Sequence, residues 1–377
     1  MIRAQKILII LMLVSTLFIT SCSKDKTYRV ETKDGVRYVH NLKPKYDYPI
    51  AGLEFVRRIG ELEPEDEKYM FQEPLSIDRD ENGCLYILDN KACTIKKFDR
   101  NGQYVSDFGR RGQGPGEFEY PGTISIGDED KIMVTTMGAV FHIFDLSGRF
   151  IKRLQLNQYQ GIFMQMMKSG TLVGYSMEIR GENSKDNKIL KTFDQEGNVR
   201  HEFGEPFLVD KVQSSWFANF PAIETDNQDN VFINFTHQNR IEKYSSNGDL
   251  LMKIDRELPF PLKYGYKKDT INIGGVVREI DREDFPFVSR GIGVDHKGRI
   301  WAMSVKKEIA DDLKPEESSF QEYFEFEIYS PEGILLSKIP IPEKLKHFDN
   351  WTMKDESLYF VDPLSECCIH EYRIIDY

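Results

Sequence analysis

The chain has 377 residues, of which 40% are hydrophobic and 29% charged, and its formal net charge at pH 7 is −11. The hydrophobic fraction is enough for a substantial buried core, and the negative charge disfavours nucleic acid, whose binding depends on Lys and Arg at the phosphates. The 25 Phe and 18 Tyr favour strands, and no long run with helical periodicity follows the N-terminal segment. We therefore predict an all-β protein with no nucleic-acid partner.

Residues 1–21 are predicted to be a lipoprotein signal peptide. Arg3 and Lys6 precede the apolar run Ile7–Ile19, which is too short to span a bilayer, since that takes about 20 residues. The motif ITSC, ending at Cys22, is similar to the bacterial lipobox, whose cysteine is lipidated and becomes the mature N-terminus. The alternative is an ordinary signal peptide with an incidental cysteine. We expect lipidation of Cys22, with the lipid as the only membrane contact, because no polybasic segment accompanies it.

The next segment, residues 22–50, is predicted to be a tether from the lipid. Tyr28–Asn41 has Asp-Gly at its centre, a pair that favours a tight β-hairpin. Leu42–Ile50 is punctuated by proline and is predicted to be a linker. The sequence thus predicts an envelope protein, of the outer membrane, that faces either the periplasm or the exterior.

A repeated turn organises residues 51–377. An aromatic-Asp-x-x-Gly motif begins at Phe98 and recurs at Phe144 and Phe193, and again with Ser in place of Asp at Tyr244 and Tyr329. The intervals are 46, 49, 51 and 85 residues. A strand, an Asp-rich turn and a second strand precede the copies, as in Pro74–Asp89. Asp and Gly close such turns because Gly tolerates positive φ and Asp hydrogen-bonds to its own backbone. Periods of 40 to 50 residues are typical of four-stranded propeller blades. Six units therefore predict a six-bladed β-propeller.

Two irregularities decide the blade count and the closure of the ring. The interval from Tyr244 to Tyr329 is nearly two periods long but holds one strand–turn–strand motif, at Gly291–Met303. We interpret it as one blade with insertions at Leu258–Pro286 and Glu308–Gln321; the alternative is a hidden seventh blade. The last unit lacks an outer strand, which Gly52–Ile59 is predicted to supply, leaving no exposed sheet edge at the junction.

The four cysteines after Cys22 are too few for a disulfide framework, and they form no pair of C-x-x-C motifs for zinc. A four-residue loop at Asp89–Ala92 would place Leu88 opposite Cys93 and leave Cys84 opposite Lys97. We therefore expect Cys84, Cys93, Cys367 and Cys368 to be free, buried thiols.

The best-preserved unit, between Asp78 and Pro121, contains F-D-x-x-G followed by F-G-x-x-G-x-G-P-G-E-F-x-x-P. This pattern resembles the NHL repeat. Together with the lipobox, it is similar to the six-bladed propeller lipoproteins of Gram-negative anaerobes. The resemblance implies the fold and an envelope location, but no particular activity, because propellers host many unrelated functions.

Candidate binding residues lie in enlarged loops. In propellers, the crossings between blades and the loops between second and third strands share one face, and both insertions and the crossing Glu205–Phe220 are of these kinds. The aromatic candidates could offer flat surfaces to a sugar or peptide, and the arginines could bind a carboxylate. They are Trp216, Phe217, Tyr264, Tyr266, Arg110, Arg111 and Arg180. The alternative is that the aromatic residues form small cores within their own loops.

Enzymatic relatives define the alternative function. Some NHL-like propellers resemble amidating lyases with three zinc-binding histidines in the channel, and others calcium-dependent lactonases. Here His142 and His370 lie two residues before strand-end aromatics, a position predicted to face outward, and three histidines cannot be placed on inner strands. We therefore predict no catalytic residue, no metal and no cofactor. The predicted function is a non-catalytic binding or scaffolding module for an envelope protein or glycan; the alternative is a metal-dependent hydrolase or lyase acting in the central channel.

Overall fold

A computed structural model describes residues 26–127, 130–156, 164–176, 187–309 and 320–377. The signal peptide, Cys22, Arg180 and most of the Glu308–Gln321 insertion lie outside the described residues. The predicted export and lipidation therefore stay predictions.

The described strands follow the predicted repeat. The first three precede the blades: β1 (Tyr28–Lys33), β2 (Val36–Asn41) and β3 (Ala51–Ile59). Blade one comprises β4 (Pro74–Arg79), β5 (Leu85–Asp89), β6 (Thr94–Phe98) and β7 (Tyr104–Phe108). The short β8 (Arg110–Arg111) and β9 (Glu117–Phe118) lie in the crossing to blade two, which comprises β10 (Pro121–Gly127), β11 (Lys131–Thr136), β12 (Val140–Asp145) and β13 (Phe150–Gln155). Blade three comprises β14 (Met164–Met166), β15 (Leu172–Tyr175), β16 (Leu190–Phe193) and β17 (Val199–Phe203).

The second half continues the pattern with one inserted hairpin. Blade four comprises β18 (Pro221–Thr225), β19 (Val231–Phe235), β20 (Ile241–Tyr244) and β21 (Leu250–Arg256). The hairpin β22 (Gly265–Ile273) and β23 (Val276–Asp284) follows, then blade five with β24 (Ser289–Val294), β25 (Ile300–Val305), β26 (Phe324–Tyr329) and β27 (Leu335–Pro340). Blade six begins with β28 (Asn350–Lys354), β29 (Ser357–Asp362) and β30 (Cys368–Asp376). The helices are α1 (Val212–Ala218), α2 (Phe320–Tyr323) and a 3-10 turn at Glu67–Tyr69. Within the described ranges, no helix has the length and apolar character needed to cross a membrane.

The predicted closure of the ring is present. β3 pairs antiparallel with β30, with Gly52 opposite Ile375, and completes blade six as its outer strand. The inner strands of successive blades contact one another all the way round, including blade six with blade one. The long interval holds the two-stranded sheet β22–β23 and blade five, so the described residues form six blades, and the hidden seventh blade is not among them.

The repeated turn has the predicted hydrogen bonding. Asp99 Oδ1 accepts from the backbone N–H groups of Asn101 and Gln103, both at 2.8 Å, and Gly102 has φ +79°. In each later turn, the side-chain oxygen of the corresponding residue accepts hydrogen bonds from the backbone N–H groups two and four residues later. These residues are Asp145, Asp194, Ser245 and Ser330. A side chain that satisfies two backbone donors fixes the turn locally, which explains why the motif recurs.

The blades pack through aromatic cores, and one sequence expectation about these interfaces is wrong. In blades two, four and five, the position two residues before the strand-end aromatic is buried and does not face outward: His142 is 4% exposed, Glu242 is fully buried and Glu327 is 2% exposed. In blade six, the His370 side chain is 12% exposed. At the two glutamates, the hydroxyl of the strand-end tyrosine supplies a hydrogen-bond partner for the buried carboxylate. Tyr329 donates to Glu327 at 2.8 Å, and Tyr244 donates to Glu242 in the same way.

The N-terminal segment differs from a free tether. The predicted hairpin forms between β1 and β2, with Asp34-Gly35 at its turn. However, β2 pairs in parallel with β21, which extends blade four to six strands. The following segment runs along β27, where the N–H groups of Lys45 and Tyr46 donate to the carbonyls of Leu335 and Leu336. The segment Tyr28–Tyr46 is therefore held against blades four and five.

The four described cysteines are free, but the predicted register around them is wrong. Leu88 lies opposite Ile95, and Cys93 belongs to the turn, where it has φ +55°. The loop between the two strands has the expected four residues, but it lies one residue further along the chain, at Asn90–Cys93. Cys93, Cys367 and Cys368 are buried, whereas Cys84 is half-buried.

Candidate functional site

A cavity of about 830 Å³ lies on the axis of the propeller. The innermost strand of every blade contributes to its wall, because this strand is the edge of its sheet and lies next to the axis. One lining residue from each blade in turn is Ser76, Thr123, Gln165, Glu224, Ile292 and Lys354. This size is within the range of small-molecule sites, about 300–1,000 Å³.

Charged groups gather at one end of this cavity. Asp78 and Glu224 occupy the same place in blades one and four, two residues before the turn aspartates Asp80 and Asp226, and these blades face each other across a six-bladed ring. Lys354 Nζ lies 3.0 Å from Asp78 Oδ1. Gln165 Nε2 donates to Glu224 Oε1 at 3.0 Å. We call these four residues, Asp78, Gln165, Glu224 and Lys354, the floor cluster.

The electrostatics of the floor cluster follow from its burial. Burial raises the pKa of Glu224, although the Lys354 ammonium opposes the shift. Burial alone would lower the pKa of Lys354, but Asp78 and Glu224 outweigh it and raise that pKa. The ammonium therefore stays charged and interacts with both carboxyl groups.

The floor cluster is not fully satisfied by protein partners. Gln165 Oε1 is buried and has no hydrogen-bond partner among the residues that the structure describes. The Lys354 side chain remains 25% exposed, although the residue lies inside the ring, because it borders the cavity. An ammonium group has three donors, and among the described residues Asp78 is the carboxylate that forms an ion pair with it. Polar groups left incomplete beside a cavity are what a bound ligand can complete.

Aromatic side chains line the other end, which we call the mouth. Phe217 is 38% exposed and stacks on His237 with ring centroids 5.4 Å apart. Phe287 and Trp351 also line this part of the wall, and Trp351 Nε1 donates to the Arg290 carbonyl at 2.9 Å. Burial lowers the pKa of both His237 and Arg290. The cavity thus joins an aromatic mouth to a charged floor.

A bulge in β24 makes room for Trp351 in the wall. The pairing register with β25 shifts between Ser289 and Ile292, and Gly291 in this shift has φ +82°. A Cβ atom on Gly291 would overlap the indole of Trp351. Glycine is therefore required here for both its backbone conformation and the close approach of the ring.

The structure brings the four predicted aromatic residues together, next to the mouth. Trp216 and Phe217 are in α1, whereas Tyr264 and Tyr266 pack on Phe285 with centroid distances of 5.5 and 6.1 Å. Of the four, Phe217 lines the cavity. The other three are largely occupied within the protein. Trp216 packs against the core between blades three and four.

The tyrosine hydroxyls hold the loops in place. Tyr264 donates to the His237 carbonyl at 2.6 Å, and burial raises its pKa to about 12. The Tyr266 hydroxyl accepts from the Lys211 backbone N–H at 3.3 Å, and the Lys211 ammonium lies 4.0 Å from its ring centroid.

The predicted arginines are not part of the cavity wall in the described residues. Arg110 forms an ion pair with Glu117 at 2.5 Å, and Arg111 donates to the Lys91 carbonyl at 3.0 Å, both in the crossing between blades one and two. Arg180 lies outside the described residues.

Sequence reasoning missed the floor cluster. The sequence-based prediction considered only histidines as channel ligands, whereas the inner strands carry Asp78, Glu224 and Lys354. The sequence feature that could have indicated this cluster is the equivalent position of Asp78 and Glu224, each two residues before the aspartate of its turn. Within the described ranges, one group has ligand atoms close enough for a metal ion, Glu366 with Cys368 and His370, and it lies in blade six, away from the axis.

The six blades around an axial cavity place the protein in the class of six-bladed β-propellers. The model of the DUF5128 family, described as a 6-bladed beta-propeller, matches residues 62–256, slightly more than half of the chain. The chain belongs to this family. No curated protein matches it.

Solved structures share the architecture at low sequence identity. A Bacteroides fragilis protein described as exported has 12% identity and a TM-score of 0.58, over 90% of this chain and 99% of its own. A DUF4221 family member from Bacteroides vulgatus has 11% identity and a TM-score of 0.57, over 87% of this chain and 99% of its own. At this identity, the likeness concerns the fold alone.

Proposed function

We propose that the protein is a lipid-anchored, non-catalytic binding module of the cell envelope that takes a glycan segment into its axial cavity. The observation that carries this proposal is that one cavity has aromatic side chains at its mouth and, at its floor, charged and polar groups with hydrogen-bonding capacity left over. The envelope location and the lipid on Cys22, in the outer membrane, rest on the N-terminal sequence. The description of a fold relative as exported supports the extracytoplasmic location alone.

The dimensions of the cavity favour a small ligand or a chain end over a folded protein surface. A sugar ring has apolar faces that can lie against Phe217 and Trp351, and hydroxyl groups that can reach Gln165 Oε1 and the Lys354 ammonium. Apolar contacts with a few placed polar groups are the usual composition of such sites.

The charges of the floor narrow the class of sugar. Asp78 and Glu224 supply two carboxyl groups against the one ammonium of Lys354. An anionic sugar would meet an excess of like charge, whereas a neutral or amino sugar would not. We therefore expect neutral and cationic oligosaccharides to bind in preference to acidic ones.

The predicted loop residues have supporting roles in this proposal. Trp216, Tyr264 and Tyr266 hold Phe217 and His237 at the mouth. Arg110, Arg111 and Arg180 are proposed contacts for a longer glycan outside the cavity, or for an envelope protein that carries it.

Calorimetric titration of the purified chain with three disaccharides tests the proposal. Chitobiose, its doubly deacetylated diamine and digalacturonic acid are neutral, cationic and anionic probes of similar size. We expect binding of the first two, weakened about 10-fold or more by Phe217→Ala and by Glu224→Gln. Tyr48→Ala, which removes an aromatic side chain that is 58% exposed and outside the cavity wall, should leave affinity unchanged. Preference for the acidic probe, or equal affinity in all three variants, would refute the site, and turnover of a bound probe would refute a non-catalytic role.

A further inference from the structure

Three potential metal ligands meet at the start of β30 in blade six. Cys368 and His370 are two residues apart in this strand, so their side chains point to the same face of the sheet. Glu366, in the preceding loop, reaches the same place. Cys367 and Ile369 point to the opposite face, where both belong to the core shared with blade one.

The distances among the three ligand atoms match a metal coordination sphere. Cys368 Sγ lies 3.2 Å from His370 Nε2 and 3.7 Å from Glu366 Oε2, and the His370 and Glu366 atoms are 3.4 Å apart. Zinc binds sulfur at about 2.3 Å and nitrogen or oxygen at about 2.0–2.2 Å in a tetrahedron, so its ligand atoms are roughly 3.3–3.6 Å from one another. One ion can therefore contact all three atoms after shifts of a few tenths of an ångström.

The surroundings carry the charge that a cation requires. The buried carboxyl group of Asp362 is in the residue directly opposite Cys368 in the sheet, and it adds to the charge of Glu366. The neighbouring guanidinium of Arg58 is 3.5 Å from Glu366 and is shared with Glu61 at 3.3 Å. Glu366 is therefore not committed to a short ion pair and can turn to a metal.

The group is also accessible from one side. Cys368 is fully buried, the His370 side chain is 12% exposed and the Glu366 side chain is 46% exposed. An ion would enter past Glu366, and the fourth position of a tetrahedron would be left to water on that side.

We propose that Glu366, Cys368 and His370 bind one zinc ion, with water as the fourth ligand. Zinc suits this set because it accepts thiolate, imidazole and carboxylate ligands together. On binding, the Cys368 thiol loses its proton to solvent and the thiolate bonds to the metal. The site shares no residue with the axial cavity wall, so the zinc proposal does not depend on the proposed glycan binding.

Zinc titration of the purified full chain against a chromophoric chelator tests the proposal. We expect one zinc ion per chain in the wild type, and affinity lowered roughly 100-fold or more in Cys368→Ser and in His370→Ala. Cys367→Ser is the matched control, because it removes an adjacent buried thiol on the opposite face, and it should bind zinc as the wild type does.

Cobalt substitution distinguishes a metal site from a simple hydrogen bond between the Cys368 thiol and the His370 imidazole. Cobalt in the wild type and in Cys367→Ser should show thiolate-to-metal absorption, which Cys368→Ser should lose. Glu366→Gln, at a largely exposed position where folding is not at risk, should weaken zinc about 10-fold. Absence of a stoichiometric ion in the wild type, or zinc affinity unchanged by Glu366→Gln and Cys368→Ser, would overturn the proposal.

Discussion

Two clusters of buried charges in this propeller have similar composition but different surroundings. One is the floor cluster in the axial cavity. The other, which we call the interface cluster, comprises Arg256 of blade four with Glu327 and Lys338 of blade five. Both contain carboxylates and cations inside the ring of blades. The comparison shows what distinguishes a structural ion cluster from a candidate binding site.

Protein groups surround the Arg256 and Glu327 side chains of the interface cluster, whereas the Lys338 side chain is 33% exposed. Arg256 pairs with Glu327, and both side chains are at most 3% exposed. Glu327 also accepts from Ser304 Oγ at 2.6 Å and contacts Lys338 Nζ at 3.0 Å. The Arg256 guanidinium donates to Asn239 Oδ1 at 2.8 Å as well. These bonds join two blades, and the three residues of the interface cluster are not among the described residues that line the axial cavity.

The floor cluster has the same kinds of groups with fewer partners. Lys354 borders a cavity, Gln165 Oε1 has no partner among the described residues, and the two carboxyl groups come from blades one and four, on opposite sides of the axis. Charges that are fully paired determine how two blades dock, whereas charges that are partly paired remain available to a ligand.

The largest expected effect is loss of stability on opening the interface cluster. Arg256→Met leaves Glu327 buried beside a single cation and removes the bonds to Asn239 and Ser304. We expect the free energy of unfolding to fall by about 3–5 kcal/mol, measured by denaturant titration.

The double variant Arg256→Met with Glu327→Leu is the control for this prediction. It removes both partners of the pair, so that no carboxylate is left uncompensated, and it should recover much of the lost stability. A double variant as unstable as Arg256→Met alone would contradict the explanation by charge pairing.

A smaller effect is expected in the floor cluster. Lys354→Met removes the cation beside Asp78, but Asp78 keeps the backbone N–H groups of Arg79 and Ile126 as donors, and the cavity can admit water. We expect a loss of about 1–2 kcal/mol in the free energy of unfolding, by the same titration. A loss equal to that of Arg256→Met would mean that the two clusters do not differ as described.

The sequence predicted those parts of the fold that depend on local hydrogen bonds. Each repeated turn is closed by its own first side chain, as Asp99 shows, so the blade count could be inferred from single turns. The pairing of β3 with β30 could be predicted as well, because one unit lacked an outer strand and the N-terminal segment resembled one.

The candidate sites could not be predicted in the same way. Asp78 and Glu224 meet Lys354 only because blades one, four and six surround one axis, and a repeat pattern does not show which side chains reach it. The loop aromatics were identified as a group, but whether each one faced the cavity depended on the packing of α1 against the inserted hairpin. Phe217 borders the cavity, whereas the neighbouring Trp216 packs on the core.

The smallest effects, and the sharpest contrast between the clusters, concern pH. Burial raises the pKa of Glu224 above its ordinary value of 4.5. For Glu327, burial acts in the same direction, but Arg256, Lys338 and hydrogen bonds outweigh it and lower the pKa below 4.5. A raised folded-state pKa gives a stability contribution that is present below 4.5 and lost as the pH rises through the folded pKa. A lowered one gives a contribution that is present above 4.5 and lost as the pH falls through the folded pKa.

The two glutamine variants should therefore respond to pH with opposite signs. Relative to the wild type, Glu224→Gln should gain stability as the pH rises from about 4 to about 7, whereas Glu327→Gln should lose stability over the same range. Denaturant titrations of the three proteins at several pH values in this range measure both differences, and titrations shared with the wild type cancel. Differences of the same sign would show that the protein stabilises Glu224 as a carboxylate, as it does Glu327. The floor cluster would then be a second structural ion cluster, and the contrast that supports ligand binding there would be lost.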